Sequence, residues 1–165
     1  MIISQELNEK INAQIGSEFG ASMQYLHIAS YFSGETLPAM AEFFFKQAEE
    51  EKEHALKFLH YLLETNAEVK IPAIAESKSS FGSAEEAVGA AVEWEKQVTR
   101  EIYALKEIAI KDKDYISQNF LDWYVNEQLE EMSSMDTLFN MVKRVGEKNL
   151  FMLEGPVSKM RGDED

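Results

Sequence analysis

Five carboxylates in this chain stand where apolar side chains belong. Residues 44–62, FFKQAEEEKEHALKFLHYL, show the pattern most clearly. Phe44, Ala48, Ala55, Phe58, Leu59 and Leu62 recur at steps of three and four, which is one face of a helix. At about 100° per residue, Glu51 falls inside that stripe and His54 on its flank, while Glu49 and Glu53 point away. Glu18 interrupts a second line: Leu7, Ile11, Gln14, Ala21, Tyr25, Ala29, Phe32. Glu95 interrupts a third: Val88, Val92, Thr99, Ile102, Ala109. Glu127 and Glu131 interrupt a fourth, with Phe120, Tyr124, Met135, Leu138 and Val142, and Gln128 and Glu130 flank them.

An ionised carboxylate alone in a core is strongly destabilising, or it changes its protonation state. Taken singly, each case has an ordinary explanation. Glu18 reads as a helix-edge residue, Tyr25 as a core aromatic, and QAEEEKEH as a solvated face. Together they do not, because each carboxylate sits near the middle of its helix, and antiparallel packing brings helix middles to one level. Protons could neutralise one or two of them. A divalent metal would neutralise all and use their oxygens as ligands. His54 follows Glu51 at i+3, so both side chains reach one ion. Mixed carboxylate and imidazole ligation suits iron or manganese better than copper or a structural zinc site.

The elements that must position these groups are four long helices. The first starts after Ser4 as N-cap and ends at Ser33-Gly34. The second, about 37–65, follows a short turn and so packs antiparallel to the first. Residues 66–82 lose all periodicity, with Pro72, Ser77, Ser79, Ser80 and Gly82 among them. Extended, such a segment reaches about 55 Å, more than the roughly 45 Å of a 30-residue helix. It can therefore cross the whole bundle. The third helix, about 83–111, opens on Ser83 and Glu86 as a capping box, and the fourth spans about 115–145. Residues 149–160, NLFMLEGPVSKM, predict a short docked helix that Pro156 shortens or bends, with Leu150, Phe151 and Leu153 as its apolar anchors. The expected architecture is an all-α four-helix bundle with one long crossover between the second and third helices, plus a short C-terminal fifth helix. It forms a single domain over 1–165, with an acidic, disordered tail from about residue 160 and above all Arg161 to Asp165.

Composition narrows the function. The chain has 165 residues, 45% hydrophobic and 28% charged, and a formal charge of -14. That balance argues against a nucleic-acid surface and permits cation binding. Cysteine is absent, which removes disulfides, thiolate metal sites and cysteine nucleophiles. There is no apolar run of about 20 residues to span a membrane. MIISQELNEKI has no basic-then-apolar leader pattern, so a cytoplasmic location is the default expectation. There is no Gly-rich phosphate loop and no Ser/His/Asp arrangement. His27 and His60 have no partner at ligand spacing and read as ordinary.

Carboxylate-rich diiron bundles use one Glu from each of two helices and a Glu-x-x-His pair from each of the other two. Here Glu18 and Glu95 are the single carboxylates and Glu51-x-x-His54 is one pair. The second pair is altered to Gln128-Leu129-Glu130-Glu131. With Glu18…Tyr25, Glu95-x-x-x-Thr99 and the run WYVNEQLEE at 123–131, the chain resembles the bacterial non-haem ferritins over essentially its whole length. The resemblance implies a first iron held by Glu18, Glu51 and His54. It implies a second held by bridging Glu51, Glu95 and Glu131, with Gln128 nearby. A third iron site would draw on Glu50, Glu127 and Glu130, with Glu131 shared. Tyr25 matches a redox-active tyrosine and Trp123 a nearby tryptophan. The implied activity is ferroxidase: oxidation of Fe(II) by O2 or H2O2, with ferric mineral stored inside a hollow homo-oligomeric shell of twenty-four subunits. Catalytic work would fall to Glu18, Tyr25, Glu51, His54, Glu95, Gln128 and Glu131.

Departures from relatives carry expectations of their own. Bacterioferritins ligate haem with a methionine at the position of Lys52. Lysine cannot do so, and no haem is expected. Animal heavy chains line their three-fold pores with acids where this chain has Gln118 and Leu121, which argues against that iron route. An alternative is a rubrerythrin-type diiron peroxidase. Such proteins keep the second histidine and add a four-cysteine iron domain, which a chain without cysteine lacks. A non-catalytic helical interaction module leaves the interrupting carboxylates unexplained.

Overall fold

A computed structural model describes residues 1–160, so the expected tail at Arg161 to Asp165 lies outside the described residues. In chain order it contains α1 (Gln5–Gly34), α2 (Pro38–Glu64), α3 (Ala84–Lys111) and α4 (Tyr115–Val145). A 3₁₀ turn over Glu147–Leu153 leads into α5 (Glu154–Met160). No described residue lies in a strand, and no described helix is long and apolar enough to cross a membrane.

Side-chain caps set three of the four long helix starts. Ser4 Oγ accepts the Leu7 N–H at 3.2 Å, Ser83 Oγ the Glu86 N–H at 3.0 Å, and Asp114 Oδ1 the Ser117 N–H at 3.0 Å. The capping box at α3 closes one residue early. Glu86 Oε2 accepts from the Gly82 N–H at 2.7 Å, not from Ser83, and the other oxygen of Glu86 pairs with Lys78.

The fourth start, that of α2, has Leu37 as N-cap and Pro38 behind it, so no local side chain can cap it. The far end of the chain supplies the acceptor. Glu154 takes the Ala39 and Met40 N–H groups, each at 2.9 Å. Glu147 does the same for α3, taking the Ala84 and Glu85 N–H groups, each at 3.1 Å. Two carboxylates at helix N-termini also meet the positive end of each macrodipole. They fix the C-terminal segment across the bundle end. Leu150, Leu153 and Val157 are buried there, as expected of docked residues. Phe151 is not an anchor and stays 68% exposed. In a 3₁₀ turn, residues three apart share a face, so Leu150 and Leu153 point inward together and Phe151 points out. Pro156 causes no bend, because it sits in the first turn of α5, where an N–H is dispensable. The break comes earlier, at Asn149, with φ -123° and ψ 18°.

The crossover climbs α1 from Asn12 to His27. Asn12 Nδ2 donates to the Glu68 carbonyl at 2.8 Å, and Asn12 Oδ1 accepts the Lys70 N–H at 2.5 Å. Gln24 brackets Lys78, donating to its carbonyl at 2.8 Å and accepting its N–H at 3.1 Å. Ser77 meets His27 Nδ1 at 2.9 Å, so His27 serves the crossover. Pro72 lies so close on α1 that a Cβ at Gly16 would stand 2.6 Å from its Cγ. This path returns the chain to the starting end of α2, which makes α3 parallel to α2 and α4 parallel to α1.

The interior is two apolar clusters with a polar belt between them. One cluster holds Tyr25, Phe32, Phe44, Val88 and Leu138; the other holds Ile11, Phe58, Ile102, Leu121 and Tyr124. On every long helix the residues between the clusters include a buried carboxylate: Glu18, Glu51, Glu95 and Glu131. Leu121 is fully buried inside the subunit, so it cannot line a pore. On α4 the stripe runs Tyr124, Gln128, Glu131, Met135, Leu138, Val142, in alternating steps of four and three. Gln128, not Glu127, therefore occupies the core line.

Glu154→Ala should unfold at lower temperature and lower urea than the parent, losing about 1 kcal/mol, as expected for a lost cap. An unchanged midpoint in both denaturations would show that the long-range cap contributes nothing.

Candidate metal centre

Each belt carboxylate reaches the bundle axis from a different helix, and the neutral groups that hold it come from the same few turns. Gln14 lies one turn before Glu18 and donates to its Oε1 at 2.9 Å. On α2, His54 Nδ1 lies 3.2 Å from Glu51 Oε2, and Tyr124 Oη donates to the His54 carbonyl at 2.7 Å. On α3, Glu95 accepts from the Tyr25 hydroxyl and, at 3.1 Å, from Gln128 Nε2. Thr99 completes that corner, accepting from Gln128 Nε2 at 3.0 Å and donating to the Glu95 carbonyl at 2.8 Å. On α4, Glu131 Oε2 accepts from Gln47 Nε2 at 2.6 Å.

The oxygens and nitrogens fall into three groups, each with ligand atoms within 4.8 Å of one another. One is Glu18, Glu51 and His54, and another is Glu51, Glu95 and Glu131. These are the two sets expected from the sequence, and Glu51 belongs to both. The third is His54, Glu127 and Glu131, with His54 Nε2 3.8 Å from Glu127. Glu127 is on the rim, its side chain 27% exposed. Glu50 is half-buried and Glu130 exposed. Neither joins a three-ligand group, but both line a cavity of about 340 Å³ with Phe43, Gln47, Glu127, Glu131, Ser134 and Met160. Trp123 is partly exposed, its ring 5.4 Å from that of His54. Lys52 is a surface residue paired with Glu49 at 3.0 Å.

The donor set fits a cation. Glu18 Oε2 and Glu51 Oε1 are buried with no hydrogen-bond partner. Unpaired buried carboxylate oxygens are rare and costly, and these two lie where a metal would satisfy them.

Burial and mutual repulsion determine the protonation. Desolvation, then the charge of Glu51, holds the Glu18 carboxyl well above its usual range. Desolvation, then Glu95 and Glu131, does the same for Glu51. Glu95 is raised by desolvation, against the opposing donors Tyr25 and Gln128. Desolvation and Glu95 push Glu131 up to about 8. Burial alone would lower the His54 imidazole, but contact with Glu127 and the charges of Glu18 and Glu131 outweigh it, so its pKa rises. His54 in turn holds Glu127 below the ordinary carboxylate range. Tyr25 is raised by desolvation and by Glu95, which keeps it a neutral phenol and donor.

Periodicity found Glu18, Glu51, His54, Glu95 and Glu131. It gave no role to Gln14 or Gln47, although each lies one turn before a belt carboxylate on the same stripe. That i−4 spacing was the available signal.

The raised carboxyls carry a sign for pH. A group whose pKa is higher folded than unfolded stabilises the fold fully below its unfolded value, and that contribution is lost as pH rises through the folded value. The metal-free protein should therefore lose stability as pH climbs from the ordinary carboxylate range through about 8, where Glu131 titrates. Bound metal must displace those protons. Its affinity should rise over the same interval, with protons released, as calorimetry in buffers of different ionisation enthalpy would show. No proton release on metal binding below about pH 8, where Glu131 retains its proton, would contradict the assignment.

A ferritin-like domain model matches residues 8–145. The chain is 39% identical over 149 residues to ferritin BfrB of Mycolicibacterium smegmatis, covering 90% of this chain and 82% of that protein. It is 34% identical over 166 residues to the bacterial non-heme ferritin of Staphylococcus aureus, covering 99% of this chain and all of that one. Among solved structures, an open-pore ferritin from the hyperthermophilic archaeon Archaeoglobus fulgidus matches with a TM-score of 0.90. That match has 34% identity and covers 94% of this chain and 96% of that one. A bundle of this topology, with a carboxylate belt at its middle and these relatives, has one reading: the chain belongs to the ferritin family.

Proposed function

We propose that this chain is an iron-storage ferritin and a ferroxidase, one domain over 1–165 that oxidises Fe(II) at the belt. The observation that carries the proposal is Glu51. It is fully enclosed, it shares one ligand group with Glu18 and His54 and another with Glu95 and Glu131, and it keeps an orphaned oxygen. A single carboxylate with ligand partners on both sides is what a bridge between two iron ions requires.

In this reading Fe(II) is the substrate. Glu18, Glu51 and His54 hold one ion, and Glu51, Glu95 and Glu131 hold the second. Two Fe(II) give up one electron each. Dioxygen takes both electrons with two protons and leaves as hydrogen peroxide, or peroxide takes them with two protons and leaves as water. Hard, anionic oxygen ligands favour Fe(III) over Fe(II), and few nitrogen ligands leave positions open for the oxidant. Gln128 and Thr99 hold Glu95 in place. Tyr25 donates to Glu95, so if the phenol gives up an electron its proton has an acceptor already in contact. Glu50, Glu127 and Glu130, with Glu131 shared, are proposed to serve a third iron on the cavity side. The ferric product would then mineralise inside a shell of twenty-four copies.

Aerobic addition of Fe(II) should give rapid growth of ferric absorbance, and Glu51→Ala should slow it by about 100-fold, the upper range for disturbing a metal site. His54→Ala should slow it less, because it removes a ligand from one position rather than two. Equal rates for parent and Glu51→Ala would refute the site. Size-exclusion chromatography should place the protein at shell size with iron retained. Elution as a small oligomer without retained iron would refute storage.

A further inference from the structure

Gln47 is an uncharged side chain in an acidic place, and half of it is unaccounted for. It is 1% exposed and lies on α2 one turn before Glu51. Its amide nitrogen donates to Glu131 Oε2 at 2.6 Å. That contact turns the amide nitrogen toward Glu131 and the carbonyl oxygen away from it. The carbonyl oxygen is buried and has no hydrogen-bond partner. Gln47 also lines the roughly 340 Å³ cavity between α2 and α4, whose wall carries Glu50, Glu127, Glu130 and Glu131. A buried amide oxygen without a donor is destabilising. In a cavity walled by carboxylates, a further anion would add repulsion. A neutral carbonyl adds a hard oxygen ligand without adding charge.

We infer that the Gln47 carbonyl oxygen is a ligand for a divalent cation in this cavity, alongside the carboxylates of its wall. The inference rests on the proposed function, since it treats the cavity as part of the iron-handling site. Gln47 then does two jobs with one side chain. Nε2 holds Glu131 toward the belt, and Oε1 faces the cation. A carboxylate at this position would repel Glu131 through one oxygen while binding metal with the other. A hydrocarbon would leave Glu131 without this donor and the cation one ligand short.

The test uses Zn(II), a redox-inert probe, in calorimetric titrations of the assembled protein. The parent should bind zinc at the buried pair and, in a separate step, at the cavity. Glu130→Gln identifies the cavity step as the one it weakens. Gln47→Leu should weaken that same step by about tenfold. It should weaken the step lost in Glu18→Gln less than the cavity step, because Glu18, Glu51 and His54 form a ligand group that does not include Glu131, the side chain Gln47 holds. Gln47→Glu should restore cavity binding, because it returns an oxygen ligand. An unchanged cavity step in Gln47→Leu overturns the inference. So does equal weakening of every step, or failure of Gln47→Glu to restore binding, since Gln47 would then act only through Glu131. A parent that binds no zinc at either place refutes the proposed function itself, and that result is distinct from the others.

Discussion

The repulsion among Glu18, Glu51, Glu95 and Glu131 is the interaction on which the rest of the structure depends. All four are buried, and no lysine or arginine is buried among the described residues to offset them. Apart from His54 beside Glu51, the groups that touch them are neutral donors. Gln14 serves Glu18, Gln47 serves Glu131, and Gln128 with Tyr25 serves Glu95. The distinction decides what the belt can do. An arginine would satisfy a carboxylate as a fixed ion pair and remove its demand for a cation. An amide or phenol fixes the position of one oxygen and leaves the net charge in place. Apart from His54, the belt is thus held by partners that do not neutralise it, which suits the metal-binding role proposed for it.

Such a belt is destabilising, and the fold offsets it on either side. Each long helix runs from one apolar cluster through the belt into the other, so every buried carboxylate has close-packed turns above and below it. Aromatic side chains hold the boundary. Phe58 stacks on Tyr124 at 3.9 Å between ring centroids, and Tyr124 then reaches the backbone beside His54. On the other side Phe44 lies 6.0 Å from Tyr25, whose hydroxyl reaches Glu95. Tyrosine suits both places because its ring packs with the cluster while its hydroxyl bonds into the belt. The bundle ends are closed separately, by Glu147 and Glu154 on the α3 and α2 N-termini.

The architecture was largely legible because it rests on local rules. Ser4 and Ser83 mark helix starts that the caps confirm, and the aperiodic stretch is long enough to make the crossover. The belt was legible for a different reason: a glutamate within an apolar stripe is visible from spacing alone. Two kinds of feature were not. One depends on distance in sequence. Nothing near Leu37 announces that Glu154 will cap α2, since the residues are far apart in the chain and meet only after the crossover is complete. The other depends on angle. Glu127 and Gln128 differ by one position, and the apolar residues beside them allow either on the core line until the step pattern from Tyr124 to Val142 is read as a whole. Phe151 shows a different limit: its apolar side chain suggests burial, but Leu150 and Leu153 take the inward face and leave it outside.

Burial also grades the proposed ligands from outside to inside. Glu130 is exposed, Glu127 is on the rim, and Glu131 and Glu51 are enclosed. Protonation follows the same order. His54 holds Glu127 below the ordinary range, Glu131 titrates near 8, and Glu51 lies well above its ordinary value. At neutral pH the rim therefore offers charge while the interior retains protons. A dication arriving through the cavity would meet an anionic carboxylate first, where losing hydration water is least costly. Each further step inward exchanges water and a proton for a carboxylate oxygen, so no step leaves a bare ion or a bare anion in the core. The ordering needs no moving part. It follows from where the α2 and α4 stripes meet solvent, and from the one imidazole placed between the rim and the belt.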